Sequence, residues 1–271
     1  MASGSRLHVA VECRAQQGPS DQGKRNAMKL DRSGMRALGA LVVVLSFVAG
    51  SALADVSEVV LRITASSGRG TGVLEITADE GIWDGGDFFW SNTEDISLMS
   101  GDQVVGTIVK DSYIAISSNP QIAMGFSFQA GDAATDVTLT SALLSFPTIA
   151  NASARADAAF TVMDIMGEGV SLVGLQPGGG AYRAYYNDSI TFAEAIGPID
   201  VIPPATLAEG NFAYPGGGAH VPIGVASNMG AEIAFSLSAY GFVSGSSNFE
   251  IVPEPAGLLL LAVGVCVLRR R

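Results

Sequence analysis

The chain has 271 residues, of which 15 are Lys or Arg and 26 are Asp or Glu, so its formal net charge is −11. Residues 55–252 are more acidic still, because they hold five basic and 22 acidic side chains, a formal charge of −17. This segment, which we call the body, repels nucleic acid and anionic lipid head groups, so we expect no nucleic-acid partner. Both cysteines, Cys13 and Cys266, lie outside it, which excludes a disulfide, a cysteine-based metal site and a thiol nucleophile there.

The first 54 residues divide into two parts. Residues 1–27 are polar and lack periodicity; either translation starts after them, at Met28 or Met35, or they form a disordered extension. Residues 28–54 have the pattern of a secretory signal peptide, with an apolar run that we expect to be helical. Its basic n-region is formed by Lys29, Arg32 and Arg36. The small residues Ala52 and Ala54 place the cleavage site just before Asp55. An uncleaved membrane anchor is the rival interpretation, which the short apolar run disfavours.

Between residues 55 and 250, short runs of alternating apolar and polar residues are separated by glycine-rich turns. In the clearest run, one face carries Ile122, Met124, Phe126 and Phe128. This alternation is typical of antiparallel sheets with one wet side, and we expect no helix between Asp55 and Ile251. We predict an all-β fold, an antiparallel β-sandwich of jelly-roll type, as one domain over residues 55–250. The alternative is two smaller sandwiches with a boundary near residues 197–204.

Four large aromatic residues surround an Asp-Gly-Gly-Asp turn in the segment GIWDGGDFFWSN, residues 81–92. Aromatic rings on the rim of a β-sandwich can stack on sugar rings, which makes Trp83 and Trp90 candidate ligand-binding residues. The alternative is that alternate rings enter the core while the two glycines form a hairpin turn.

The body offers little catalytic chemistry. His220 is its only histidine and lies in a Pro/Gly-rich loop, and the sequence has no nucleophile elbow and no zinc-protease motif. A glycosidase needs two carboxylates, yet no spacing singles out a pair. We therefore predict no catalytic residues, no enzyme activity and no metal site. Calcium is the one cofactor left open, because loop carboxylates suit it without forming an EF-hand ladder. These loop carboxylates are Asp84, Asp87, Asp132 and Asp136.

The tail, residues 251–271, joins a proline-rich motif to a short apolar segment and a basic end. The apolar segment, residues 256–268, is expected to be a hydrophobic helix. Its thirteen residues reach about 20 Å, against a hydrocarbon core of about 30 Å, so it spans a membrane only under mismatch. Three terminal arginines favour the cytoplasmic side, which leaves the body outside the cell.

This tail resembles the PEP-CTERM sorting signal of Gram-negative bacteria. The resemblance rests on the order of three elements: Pro253-Glu254-Pro255, the short apolar segment, and the cluster Arg269, Arg270 and Arg271. It covers about the last twenty residues of a chain that also carries a predicted signal peptide. It implies recognition and cleavage near the Pro-Glu-Pro motif by a membrane exosortase, in bacteria that make exopolysaccharide.

The sequence thus leads to three hypotheses of function. The first is a non-enzymatic cell-surface or extracellular-matrix protein, exported through the translocon, held transiently in the membrane by its tail, and cleaved by an exosortase-type enzyme. The second is a carbohydrate-binding module with an aromatic rim, whose partner is an extracellular polysaccharide. The third is a secreted hydrolase.

Overall fold

The computed structural model describes residues 58–254, and nearly all of their regular structure is extended. The only helical element in this range is a 3-10 turn at Gly216–Gly218. The strands are β1 Val59–Ser67, β2 Gly70–Thr77, β3 Ile82–Asp84, β4 Asp87–Ser91, β5 Ile96–Ser100, β6 Gln103–Ile108, β7 Tyr113–Ser117, β8 Gln121–Ala130, β9 Thr135–Ser141, β10 Leu144–Met163, β11 Val170–Gly174, β12 Tyr182–Tyr186, β13 Ile190–Ala195, β14 Ile199–Val201, β15 Leu207–Tyr214, β16 Val221–Leu237 and β17 Phe242–Pro253.

All strand pairs are antiparallel and belong to one continuous sheet that curls on itself. One section runs β2, β1, β9 and then the second half of β16, whose other edge carries β11 and β12. These two strands pair in turn with β14 and β13. The other section runs β15, β10, β17 and β8. On its edge away from β17, β8 pairs with β7 over residues 121–125 and with β6 over residues 128–130. Strand β7 pairs in turn with β4, and β4 with β3. Strand β6 pairs in turn with β5.

The two sections join where the first half of β10 pairs with the first half of β16. Strand pairing also continues across residues 197–204, since β14 within that segment pairs with β11. The all-β, antiparallel prediction is confirmed in the form of this curled sheet. The predicted helices of the signal peptide and of the tail lie outside the described residues. Within residues 58–254, no helix has the length and apolar character needed to cross a membrane.

The core is a group of aromatic rings enclosed by the curl. Phe235 on β16 stacks on Phe126 of β8 with ring centroids 5.8 Å apart, and it meets Phe160 of β10 edge-on at 6.4 Å. Because β16 and β8 are not hydrogen-bonded neighbours, these contacts cross the interior. The alternation predicted for β8 is confirmed, since Ile122, Met124, Phe126 and Phe128 are all buried.

Strand β17 links the core to the start of the tail. It pairs with β10 along its whole length, from Phe242 opposite Met163 to Pro253 opposite Ala152. At about 3.3 Å per residue, its twelve residues span roughly 40 Å. The Pro-Glu-Pro motif therefore begins at one end of the longest antiparallel pair in the described part of the chain.

Candidate functional site

The β3–β4 hairpin separates the aromatic residues of segment 81–92 onto two faces. Gly85 and Gly86 have positive φ values of 59° and 97°, as a two-residue hairpin turn requires. The register places Trp83 opposite Phe88 and Ile82 opposite Phe89. Since paired residues point to the same side of a sheet, Trp83 shares a face with Phe88, and Ile82 shares the other face with Phe89.

The two tryptophans predicted as ligand-binding residues lie in different surroundings. Trp83 is 44% exposed, meets the buried ring of Phe88 edge-on at 5.1 Å, and donates an indole hydrogen bond to the Ala78 carbonyl at 2.8 Å. Trp90 is partly buried and packs against the hydrophobic core. Among the described residues, no ring contact joins Trp83 to Trp90. The hairpin turn and the inward Phe88 agree with the alternative interpretation of this segment.

The opposite face of the hairpin holds a groove that sequence reasoning did not find. It has a volume of about 260 Å³, its walls include Ile82 and Phe89, and its floor includes Ala115 and Ala123 on β7 and β8. We call this groove, together with the polar residues Asp84, Asp87, Ser117 and Gln121 at one end, the aromatic groove. Phe89 is 45% exposed and stacks on Tyr113 with centroids 6.2 Å apart. The groove depends on β7, which pairs with β4 of the hairpin on one side and with β8 on the other. Sequence periodicity does not reveal such pairing.

One end of the aromatic groove is polar. Asp84 and Asp87 face each other across the turn, and Ser117 and Gln121 lie beside them. Asp87 Oδ1 accepts hydrogen bonds from the Ser118 backbone N–H at 2.8 Å and from the hydroxyls of Ser117 and Ser118, each at 3.0 Å. These bonds, that of the Ser118 backbone N–H above all, hold the pKa of Asp87 below its usual range. They also fix the hairpin turn against the β7–β8 loop.

Two acceptors at this end remain available to a ligand. Within the described part of the chain, Asp87 Oδ2 takes no hydrogen bond, and the Asp84 carboxylate has neither a hydrogen bond nor an ion pair. Gln121 is held in place because its amide donates to Asn248 Oδ1 at 2.7 Å. The groove therefore combines an apolar wall and floor with carboxylate acceptors at one end.

A second polar cluster surrounds His220, the only histidine of the body. Its Nε2 atom lies 2.8 Å from Glu250 Oε1, and Arg155 Nε lies 3.2 Å from the same oxygen. Asp157 approaches Arg155 at 3.9 Å. Among the described residues, no hydrogen bond or ion pair connects a serine or threonine hydroxyl to His220.

Two larger cavities, of about 400 and 540 Å³, flank the segment 195–198. Ile196 in this segment is buried and has a φ of 66°, an uncommon conformation for a β-branched residue. Asp200 and Glu209 line the smaller cavity. Glu194 lines the larger one, where its carboxylate accepts the Gly180 N–H at 3.3 Å. The cavities thus supply carboxylates but no histidine or basic side chain.

The carboxylates considered for calcium do not converge. The prediction that all four lie in loops is wrong, because Asp84 ends β3, Asp87 begins β4 and Asp136 lies on β9. Among residues 58–254, no group of three or more His, Cys, Asp or Glu side chains is placed to hold a metal ion. Asp132 instead forms a two-pronged ion pair with Arg69, and Asp87 is engaged by the β7–β8 loop.

The Pro-Glu-Pro motif starts at the exposed end of β17. Pro253 and Glu254 are both exposed, and the Glu254 backbone N–H donates to the Asn151 carbonyl at 2.8 Å. The remaining residues of the predicted signals lie outside the described range. They are Ala52, Ala54, Pro255, Arg269, Arg270 and Arg271.

Comparison with known proteins adds no assignment to this geometry. No protein-family model matches the chain, and no curated protein matches it significantly.

Proposed function

We propose that the protein is an exported, non-enzymatic cell-surface or extracellular-matrix protein that is sorted through its C-terminal tail. In this proposal residues 28–54 direct export through the translocon and are removed. The tail then holds the body at the membrane until an exosortase-type enzyme cleaves near Pro253-Glu254-Pro255. We further infer that the curled sheet is a flattened, jelly-roll-like β-sandwich, with Phe235 packed between its two layers.

The observation that carries the proposal is the position of Pro253 and Glu254. Both residues are exposed, and the Glu254 backbone is tied to Asn151 directly after the last strand. A processing enzyme could therefore reach the motif without unfolding the body, because cleavage beyond Glu254 breaks none of the pairs between β10 and β17.

The test is the intact mass of the protein released from a host that carries an exosortase-type enzyme. We expect a mature chain that begins at Asp55 and ends near residues 253–255. A released chain that still ends at Arg271 contradicts processing. Glu254→Ala is expected to retain the tail, whereas Glu168→Ala, which removes an exposed glutamate from a loop beyond the other end of β10, is expected to be processed normally.

Carbohydrate binding is the second candidate function, and the aromatic groove favours it. Phe89 is a half-exposed ring on a sheet face and lies beside carboxylate oxygens that have no hydrogen-bond partner among residues 58–254. An apolar wall with a few oriented polar groups is the usual composition of a small-ligand site. Such binding is compatible with the first proposal, since a surface protein can retain an extracellular polysaccharide without chemistry.

A further inference from the structure

We propose that the aromatic groove binds a single sugar ring of an uncharged pyranose polymer, with Phe89 as its stacking wall and Asp84 and Asp87 as hydroxyl acceptors. This inference rests on the carbohydrate-binding candidate and names its site and its ligand class. It moves the site from Trp83 and Trp90 to the opposite face of the hairpin.

The stacking wall is preorganised. Phe89 is 45% exposed, and its ring stacks on that of Tyr113 at an interplanar angle of 26°. Tyr113 in turn lies flat over Gly125, where a Cβ atom would come within 2.2 Å of the tyrosine ring. A ring that is already held in place loses little conformational freedom when a ligand binds, so its apolar contact contributes more fully to affinity. The flat face of an aromatic ring suits the C–H face of a pyranose.

The size of the groove limits what it can enclose. Ala115 and Ala123 are small floor residues, and the resulting volume of about 260 Å³ lies just below the range of roughly 300–1,000 Å³ for sites that bury drug-sized ligands. One ring fits, while neighbouring rings of a polymer must run over the exposed surface. We therefore expect weak binding per ring, strengthened when several copies of the protein engage one polymer.

The polar end selects against negatively charged ligands. Asp84 and Asp87 Oδ2 accept hydrogen bonds but cannot donate them when ionised, so they suit hydroxyl groups. No Lys or Arg lines the groove, and the body as a whole carries a formal charge of −17. Carboxylated or sulfated sugars would meet repulsion there. The ligand class is accordingly an uncharged glycan rather than an acidic one.

The experiment measures binding of the exported protein to insoluble cellulose and chitin, both uncharged, and to soluble alginate, which is anionic. We expect at least one uncharged polymer to bind and alginate not to bind. Phe89→Ala removes the wall, and Ala123→Leu fills the floor without removing an aromatic ring. Each is expected to weaken binding about tenfold, while Phe89→Tyr keeps the ring and the affinity.

Two controls test the location. Tyr240→Ala removes an aromatic ring with the same 45% exposure from the loop between β16 and β17 and should leave binding unchanged. Trp83→Ala tests the other face of the hairpin and should also leave it unchanged. Thermal unfolding of each variant verifies folding, and Ala115→Leu replaces any floor variant that does not fold.

The outcomes separate the site from the function. If neither uncharged polymer binds, carbohydrate binding itself fails, and with it this assignment. If a polymer binds equally to Phe89→Ala and Ala123→Leu, the function stands and the groove is the wrong site. Loss of binding in Trp83→Ala alone moves the site to the other face. Preferential retention of alginate overturns the assigned ligand class.

Discussion

His220 Nε2 lies 2.8 Å from Glu250 Oε1, so the loop before β16 is tied to β17 three residues ahead of Pro253. Arg155 on β10 faces the same carboxylate at 3.2 Å. Glu250 therefore connects three segments of the chain at the end of the sheet from which the tail departs. We expect this cluster to stabilise the junction.

Glu250→Gln should lower the free energy of unfolding by about 1–3 kcal/mol. The Glu250 side chain is only 20% exposed, and loss of its charge leaves Arg155 with the more distant Asp157 as its remaining ion-pair partner. Urea denaturation at neutral pH measures the change. The matched control is Glu75→Gln, since Glu75 is 47% exposed and its pair with Arg62 should contribute at most about 1 kcal/mol. Equal losses in the two variants would contradict a special role for Glu250.

Gly245→Ala should destabilise the fold by about 1–3 kcal/mol through overpacking. A Cβ atom at this position on β17 would lie 2.6 Å from Phe126 Cε1 and 2.7 Å from Phe160 Cδ1, within the aromatic core. Gly68→Ala is the control, because a Cβ atom there meets nothing within 4 Å, and its effect should stay within about 0.5 kcal/mol. The difference between the two midpoints of chemical denaturation is the measurement. A tolerated Gly245→Ala would mean that the rings repack freely.

The contrast between β8 and the aromatic groove shows what the sequence could predict. Alternation identified the buried face of β8 because each side chain's face depends on local spacing alone. Strand β7, Tyr113–Ser117, is likewise a short run of strand-forming residues. The antiparallel arrangement of the sheet was predictable because each strand-like run has one polar face. These features are local, and the structure agrees with them.

The pairing partners are not local, and here the sequence was insufficient. The groove exists because β4 pairs with β7 and β7 with β8, while the glycines of the hairpin set which rings share a face. Composition drew attention to Trp83 and Trp90, whereas the exposed wall is Phe89. The junction of His220 with Glu250 was missed for the same reason, since it joins the loop before β16 to β17.

Asp164 should give the protein a stability that is lost in acid. This buried carboxylate accepts hydrogen bonds from the backbone N–H groups of Gly169 at 2.7 Å, Gly167 at 2.8 Å and Met166 at 3.1 Å, and these bonds lower its pKa, with that of Gly169 contributing most. A carboxyl with a depressed pKa stabilises the fold above its unfolded pKa of about 3.9, and the contribution disappears as pH falls through the folded value.

The variant Asp164→Asn tests this pH dependence. At pH 6 it should melt below the wild-type protein, because an amide replaces the acceptor for the Gly169 N–H. The gap should begin to narrow below about pH 4, where the carboxyl of the unfolded chain becomes protonated, and should close as pH falls through the lower pKa of the folded protein. Asp136→Asn, at an exposed position on β9, should show no comparable pH-dependent gap. A melting-temperature difference for Asp164→Asn that stays constant from pH 6 to pH 2.5 would exclude the carboxylate as its cause.

The two tryptophans should report separately on the two environments of the hairpin. They are the only ones in the chain, and Trp83 is 44% exposed whereas Trp90 packs against the core. Acrylamide quenches an indole in proportion to its access to solvent. Trp83→Phe should therefore leave a blue-shifted emission that is weakly quenched, and Trp90→Phe should leave a red-shifted emission that is strongly quenched. Equal quenching in the two variants would mean that Trp90 is as accessible as Trp83, and that the hairpin does not hold its inward face against the core.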